Sequence, residues 1–175
     1  MKVIIILVLL LLVDCNTVNI NNVKLCQFEF TNVDGRAFVF DSSVAKPSLV
    51  ILVEKVYCFD CIKALLFELK KHYLENSLYI YLIYQTEPSS LSKKYFLQKI
   101  LPYSFSGVRF LFSNTKLFND IFSYFNVKGS PSIVIFNKDD LSLLSYFPFE
   151  RLFNRNGVLR EKIVDSLMLM IGSSH

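Results

Sequence analysis

Metal-binding side chains are scarce in this sequence. Its 175 residues hold two histidines and four cysteines, and beyond the pair Cys58 and Cys61 there is no second C-x-x-C or H-x-H pair. A structural zinc site needs four ligands. His72 lies in a charged helical run and His175 at the chain end, so we interpret both as solvated surface side chains. We therefore expect no metal ion.

A basic stripe with interleaved aromatic residues, which marks nucleic-acid binding surfaces, is also lacking. Nineteen Lys and Arg against fifteen Asp and Glu give a net charge of +4, but the bases lie on separate segments. The 17 Phe and nine Tyr mostly alternate inside apolar runs. Such stripes are typical of a core rather than of a cofactor pocket. We expect no nucleic-acid partner and no cofactor.

The apolar run at the N-terminus is short. Val3–Val13 is an unbroken run of eleven residues behind Met1 and Lys2. A helix that crosses a bilayer needs about 20 residues. A shorter run behind a lysine is typical of a signal peptide. We predict export of the chain and assign residues 1–14 to the signal peptide.

The residues after this run favour attachment to a membrane. Leu12-Val13-Asp14-Cys15 resembles the lipobox of bacterial lipoproteins, in which the cysteine receives the lipid. Asp14 departs from that pattern, because a small residue usually precedes the cysteine. Cleavage nearby and an uncleaved anchor therefore remain open beside lipid attachment at Cys15. The Asn-rich stretch that follows has no periodicity, and we interpret residues 15–26 as a tether.

The rest of the chain predicts one α/β domain, residues 27–171. With 53% hydrophobic residues, the chain is long enough for one core. Asp34-Gly35 marks a hairpin turn, and the continuously apolar run SLVILV predicts a strand covered on both faces. Strands and helices then alternate, which favours a sandwich with a mixed sheet. We predict strands at 27–31, 37–40, 48–53, 78–84, 108–112, 132–136 and 141–147, and helices at 62–73, 89–100, 116–125 and 158–171.

Cys58 and Cys61 fall where a buried strand gives way to a helix. The free backbone amides and the dipole of a helix N-terminus favour an anion, which lowers the pKa of a thiol there. We predict that Cys58 is the exposed nucleophile and that Cys61, one turn on, expels a partner bound to it. A purely structural disulfide is the alternative, but it would close too short a loop to stabilise the chain much.

Together with the segment Val127–Phe136, this pair resembles a thioredoxin-fold protein. In that family a Gly-x-Pro segment, here Gly129-Ser130-Pro131, opens the strand that faces the redox pair with a cis proline. The leader, the hairpin and the spacing of 70 positions from Cys61 to Pro131 resemble the membrane-tethered TlpA-like branch. The resemblance implies a three-layer sandwich with an extra helix-strand unit between the two motifs.

The same resemblance implies thiol-disulfide exchange in the bacterial envelope. The expected partners are exported proteins with cysteines or disulfides, together with a membrane or envelope electron donor. Pro131 would lie against the cysteine pair, and the Ser130 backbone would pair with an extended substrate segment. Tyr57 stands where the family usually has Trp, and we predict that it contacts substrate. Phe59-Asp60 between the cysteines lacks the common proline.

The usual proton acceptors of the family are missing. Leu52 and Ala64 occupy the two positions where relatives carry an acidic residue. Glu54 lies two positions beyond Leu52 on the same strand face, so it could accept the proton instead. An ion pair with Lys55 is the alternative role for Glu54.

Three alternative functions are weighed against the same residues. A peroxide reductase would need a Thr three residues before its cysteine, and none is present in residues 53–57. A non-catalytic binding module, or a chaperone that holds Cu(I) between two thiolates, remains possible in principle. No Met or His adjoins the pair to support copper. Cys26 has no evident partner, and we interpret it as a half-buried structural cysteine.

Overall fold

The structure, a computed structural model, describes residues 25–41, 47–54, 58–73, 78–86, 91–124, 126–137 and 143–172. The predicted signal peptide, Cys15 and Tyr57 lie outside these residues. Seven strands are β1 Glu29–Asn32, β2 Ala37–Val39, β3 Ser48–Val53, β4 Tyr79–Gln85, β5 Val108–Ser113, β6 Ser132–Phe136 and β7 Leu143–Phe147. Five α-helices are α1 Phe59–His72, α2 Leu91–Ile100, α3 Thr115–Tyr124, α4 Phe149–Leu152 and α5 Glu161–Gly172. Among these helices, none is long and apolar enough to cross a membrane.

The seven strands form one mixed sheet in the order β2-β1-β5-β4-β3-β6-β7. β3, β4 and β5 run parallel, because a helix crosses over between each of them. β6 is antiparallel to β3, with Ser132 opposite Leu52, so the start of β6 lies beside the end of β3. This pairing brings the residues before β6 next to the residues that lead into α1.

Two apolar layers cover the sheet, as its continuous hydrophobic runs predict. Leu49, Ile51 and Val53 of β3 point to the layer of α1, α2 and α5. Val50 and Leu52 point to the opposite layer, which contains α3 and the hairpin. Successive strand residues face opposite sides, so a strand buried on both sides must be apolar throughout. The predicted three-layer sandwich with a mixed sheet is therefore confirmed.

Helix α2 is fixed to the sheet by aromatic stacking. The rings of Tyr84 on β4 and Phe96 on α2 lie parallel, with their centroids 4.1 Å apart, and both side chains are buried. Such a pair contributes about 0.5–1.5 kcal/mol beyond the burial of its area. The position of α2 next to α1 follows from this contact.

The segment before the last helix differs from its prediction. The helix begins at Glu161 rather than at 158, because the backbone of Val158 is bound to the Asn154 side chain in a turn. The short helix α4 at Phe149–Leu152 was not predicted either. Two consecutive short elements leave no periodic pattern for a sequence to display. The difference matters because the turn from Asn154 to Val158 lies beside the cysteine pair.

Candidate active site

Cys58 forms the N-cap of α1, five positions after the last residue of β3. Its backbone is extended, with φ −91° and ψ 105°, and its Sγ accepts a hydrogen bond from the Cys61 backbone N–H at 3.2 Å. In the structure Cys58 and Cys61 are joined by a disulfide, with their Cα atoms 5.2 Å apart. One helical turn therefore brings both sulfurs to the helix N-terminus, where backbone amides stabilise a negative charge.

The two sulfurs differ in exposure. Cys58 is half-buried, whereas Cys61 is only 2% exposed and packs in the apolar layer of α1. The Cys61 Sγ lies 4.0 Å from the backbone carbonyl oxygen of Gly157. A partner molecule can therefore reach Cys58 more easily than Cys61.

A turn from Asn154 to Val158 covers Cys61. The Asn154 Oδ1 accepts hydrogen bonds from the backbone N–H groups of Asn156 at 2.9 Å and Val158 at 3.0 Å. Gly157 has a φ of +72°, and a Cβ there would lie 3.8 Å from the Cys61 Sγ. Glycine adopts this left-handed conformation without strain. Asn-Gly is a common turn pair, but only the fold places this turn over Cys61.

Ser130 and Pro131 lie at the end of β3, as predicted. The Ser130–Pro131 peptide bond is cis, which confirms the prediction for this proline. The Ser130 Oγ accepts a hydrogen bond from the Glu54 backbone N–H at 2.9 Å. The Ser132 Oγ donates to the Gly129 carbonyl oxygen at 2.7 Å and stabilises the loop from within. These contacts join the proline loop to the strand that leads to the cysteines.

Glu54 follows the last residue of β3 and is half-buried. Burial raises the pKa of its carboxyl group above the ordinary value of 4.5, because the charged form loses contact with water. A carboxyl group shifted in this direction holds a proton closer to neutral pH. The proton-accepting role of Glu54 stays a prediction, which this direction of the pKa shift supports.

The dipeptide between the cysteines makes contacts that the sequence did not indicate. The Phe59 ring packs edge-on against the Tyr95 ring of α2, with centroids 5.7 Å apart and planes at 76°. The Asp60 carboxylate is 91% exposed and lies 3.2 Å from the Lys63 Nζ. Helix α2 thus contributes an aromatic residue beside the cysteine pair. The contact joins residues 36 positions apart, so no local pattern could reveal it.

His72, which we expected to be a solvated surface side chain, is half-buried and belongs to a charged cluster. Its Nε2 lies 3.0 Å from Asp165 Oδ1 on α5 and 3.5 Å from Glu68 Oε1 on α1. The ligand atoms of these three residues lie within 4.8 Å of one another, close enough to hold a metal ion. The Lys71 Nζ already lies 2.6 Å from Glu68 Oε2, and this hydrogen bond raises the pKa of Lys71. Through these contacts the cluster joins α1 to α5.

Cys26 lies far from the pair in sequence and is not joined to either of its members. It is half-buried in the 3-10 turn Leu25–Gln27 and packs against the layer that contains α3. The cysteine pair faces the other layer. Cys26 is therefore on the opposite side of the sheet from the pair, in agreement with its structural interpretation.

Sequence comparison identifies no relative: no protein-family model and no curated protein matches the chain. Solved structures do match. A secreted Mycobacterium tuberculosis disulfide oxidoreductase homologous to E. coli DsbE has a TM-score of 0.57 at 14% identity, over 83% of this chain and 96% of that chain. For the thioredoxin domain of a Bacteroides vulgatus thiol-disulfide oxidoreductase the TM-score is 0.58 at 11% identity, with coverages of 82% and 92%. For the exposed lipoprotein thioredoxin of Streptococcus pneumoniae TIGR4 it is 0.56 at 12% identity, with coverages of 82% and 98%.

These identities are too low to transfer an activity, but the coverage extends over nearly the whole of each matched chain. The likeness agrees with the order of the strands, the cysteine pair at the start of α1 and the cis proline before β6. The described part of this chain therefore has the thioredoxin-like fold of thiol-disulfide oxidoreductases.

Proposed function

We propose that the protein is a thiol-disulfide oxidoreductase in which Cys58 attacks and Cys61 resolves. The observation that carries the proposal is the asymmetry of the pair. The more accessible Cys58 Sγ accepts a backbone N–H at the start of α1, whereas Cys61 is buried beneath the Gly157 turn. An accessible thiolate beside a protected second thiol is what two-step disulfide exchange requires.

In the reducing direction, the Cys58 thiolate attacks one sulfur of a partner's disulfide. A bond forms between that sulfur and Cys58 Sγ, the partner's S–S bond breaks, and the other sulfur leaves as a thiolate that takes a proton from water. Cys61 loses its proton and attacks Cys58 Sγ, which forms the internal disulfide and releases the partner's second thiolate. Two electrons pass to the partner, and a dithiol donor of the membrane or envelope must return two to the protein.

Three neighbouring residues support these steps. The raised pKa of Glu54 suits it to accept the Cys61 proton. The Ser130 backbone before Pro131 would pair with an extended segment of the partner, because an accessible backbone edge can extend a sheet. Tyr57, just before Cys58, would contact the same segment.

We further propose that the protein works in the bacterial envelope on exported proteins, held to the membrane through Cys15. The short apolar leader supports export, and an oxidising compartment is where disulfide substrates persist. Two matched structures are described as secreted and as an exposed lipoprotein. Labelling cells with a palmitate analogue tests the anchor: label should enter the wild-type chain and be lost in Cys15→Ala. Equal label in both, or none in either, would remove the anchor.

Disulfide trapping tests the redox function. Cys61→Ala should accumulate partner proteins in mixed disulfides through Cys58, which dithiothreitol releases. Cys58→Ala should abolish insulin-disulfide reduction, because the attacking sulfur is gone. Cys26→Ala is the matched control and should retain turnover near that of the wild type. If Cys26→Ala lost as much turnover as Cys58→Ala, the two-cysteine mechanism would be wrong.

A further inference from the structure

A surface of alternating lysine and aromatic side chains begins at the residue next to the nucleophile. We call it the lysine-aromatic face, and it consists of Phe59 and Lys63 on α1, Tyr95 and Lys99 on α2, and Tyr103 in the following 3-10 turn Leu101–Tyr103. The first two residues are one helical turn apart, and so are the next two, so each pair shares one side of its helix. The two sides meet where α1 packs against α2.

Direct contacts hold this face together. The Phe59 and Tyr95 rings meet edge to face, and the Lys63 Nζ lies 4.9 Å from the centre of the Tyr103 ring. The Lys99 Nζ lies 5.7 Å from the centre of the Tyr95 ring. Tyr95 remains 51% exposed and Tyr103 47% exposed. Two large aromatic rings are thus fixed in place but left half uncovered.

A shallow depression of about 530 Å³ continues the face along α2. Leu91 at its wall is 87% exposed, more than any other large hydrophobic side chain among the described residues. The depression is lined by Leu91, Ser92, Lys94, Tyr95 and Gln98. An apolar side chain would bury area against Leu91 and Tyr95, while polar groups line its edge.

Lysines dominate the charge of this surface. Lys63, Lys94 and Lys99 are its bases, and residues 91–103 contain no acidic residue. Asp60 is the acid nearest to it in the chain, and it is paired with Lys63. Lys93, by contrast, turns away and donates to the backbone carbonyl oxygens of Asn32 and Val33. Lys94 and Lys99 form no ion pair with the residues that the structure describes, and bases beside exposed aromatic rings attract carboxylates together with apolar groups.

We propose that the lysine-aromatic face and its depression bind a segment of the partner protein that carries acidic and large apolar side chains beside its reactive disulfide. This inference rests on the proposed redox function and names the class of substrate that the function takes. Phe59 lies between the two cysteines, so a segment seated on this face has its disulfide at Cys58. The face then selects among partners, while the cysteines perform the exchange with any disulfide that reaches them.

Peptide disulfides test the proposal with the reduced full chain. Three 12-residue peptides carry one cysteine each, joined as a mixed disulfide to 2-mercaptoethanol, and differ only in the flanking residues. The cysteine is flanked by Glu and Leu in the first peptide, by Glu and Ser in the second, and by Lys and Leu in the third. The rate at which each peptide oxidises the protein is measured by acid quenching and mass spectrometry. It is divided by the rate at which free 2-mercaptoethanol cleaves the disulfide of the same peptide, which corrects for that peptide's intrinsic reactivity.

The Glu and Leu peptide should react about tenfold faster than the Lys and Leu peptide at low salt, with the advantage falling as NaCl is added. It should also exceed the Glu and Ser peptide, because Leu reaches the apolar depression. The double variant Lys94→Glu, Lys99→Glu should reverse the charge preference. Lys116→Glu, the same substitution at one position on α3 across the sheet, is the control and should leave the preference as it is.

Equal normalised rates for the three peptides would overturn the proposed face and leave the redox function intact. No oxidation by any peptide would overturn the redox function itself. Sedimentation velocity tests whether the face instead binds a second copy of this chain. If the wild-type protein forms dimers and the double variant Lys94→Glu, Lys99→Glu does not, the face is a dimer interface, which contradicts the proposal.

Discussion

The two layers that cover the sheet are built alike and used differently. Both are apolar, and both bury residues of the same strands, such as Ile51 on one side and Leu52 on the other. Only the layer of α1, α2 and α5 carries the cysteine pair, the Gly157 turn and the lysine-aromatic face. The layer of α3 and the hairpin is closed by aromatic packing, such as Phe30 against Phe40 at 5.5 Å. Burial alone therefore does not mark the functional side.

The layer with the cysteine pair differs because several separate segments of the chain meet beside it. Four segments meet at the carboxyl end of β3: the last residues of β3, the start of α1, the proline loop before β6 and the turn before α5. The carboxyl ends of parallel strands are where α/β proteins place their sites. The other layer has no comparable meeting of loop ends among the residues that the structure describes.

The largest effects are expected from truncating one buried side chain in each layer, which tests the difference between the two layers. Leu65→Ala on α1 and Ile121→Ala on α3 each remove a fully buried side chain, and each should lower the free energy of unfolding by about 2–5 kcal/mol. Denaturant unfolding measures both. Disulfide exchange, assayed where both variants remain folded, should slow only in Leu65→Ala, because α1 carries both cysteines. Equal slowing in both variants would contradict the assignment of function to one layer.

Removing the Asn154 side chain should have the next largest effect. Asn154→Ala loses two hydrogen bonds that shape the turn over Cys61, at a cost of about 1–3 kcal/mol. The Cys61 thiol of the reduced protein should then become easier to alkylate, as followed by mass spectrometry. Asn119→Ala, at an exposed position on α3, is the control and should change neither quantity. Unchanged alkylation of Cys61 in Asn154→Ala would show that the turn does not protect it.

The smallest effect is expected from the Glu54 carboxyl group. Its pKa is raised in the folded state, so its contribution to stability is present below the unfolded value near 4.5 and is lost as pH rises through the folded pKa. Glu54→Gln should therefore raise Tm slightly at pH 7, and this gain should vanish below pH 4.5. Exposed Glu150→Gln serves as the control.

Thermal unfolding at several pH values measures this stability effect. Exchange rates at pH 7 test the catalytic part of the same prediction, since Glu54→Gln should slow the resolving step if the carboxylate accepts the Cys61 proton. A Tm difference that stays constant from pH 4 to pH 7 would show that the carboxyl group is not shifted by burial.

Local features of the chain were predictable where they repeat or carry a special residue. The apolar run of β3, the hairpin turn at Gly35 and the helix after Cys58 each follow from periodicity or turn chemistry. Pro131 was predicted to be cis from the motif around it, and it is. The contact of His72 with Asp165 was not predicted, because the two residues are 93 positions apart and no local pattern records it.

The sequence by itself determined which residues could do chemistry: one C-x-x-C pair at a strand-to-helix junction, one Gly-x-Pro segment and an apolar framework for both sheet faces. Only the tertiary structure decided their surroundings. It placed the Gly157 carbonyl at Cys61, the Ser130 hydroxyl at Glu54 and the Tyr95 ring at Phe59. Spacing along the chain sets the local geometry, but contacts between distant segments depend on how strands pair and which face each helix covers.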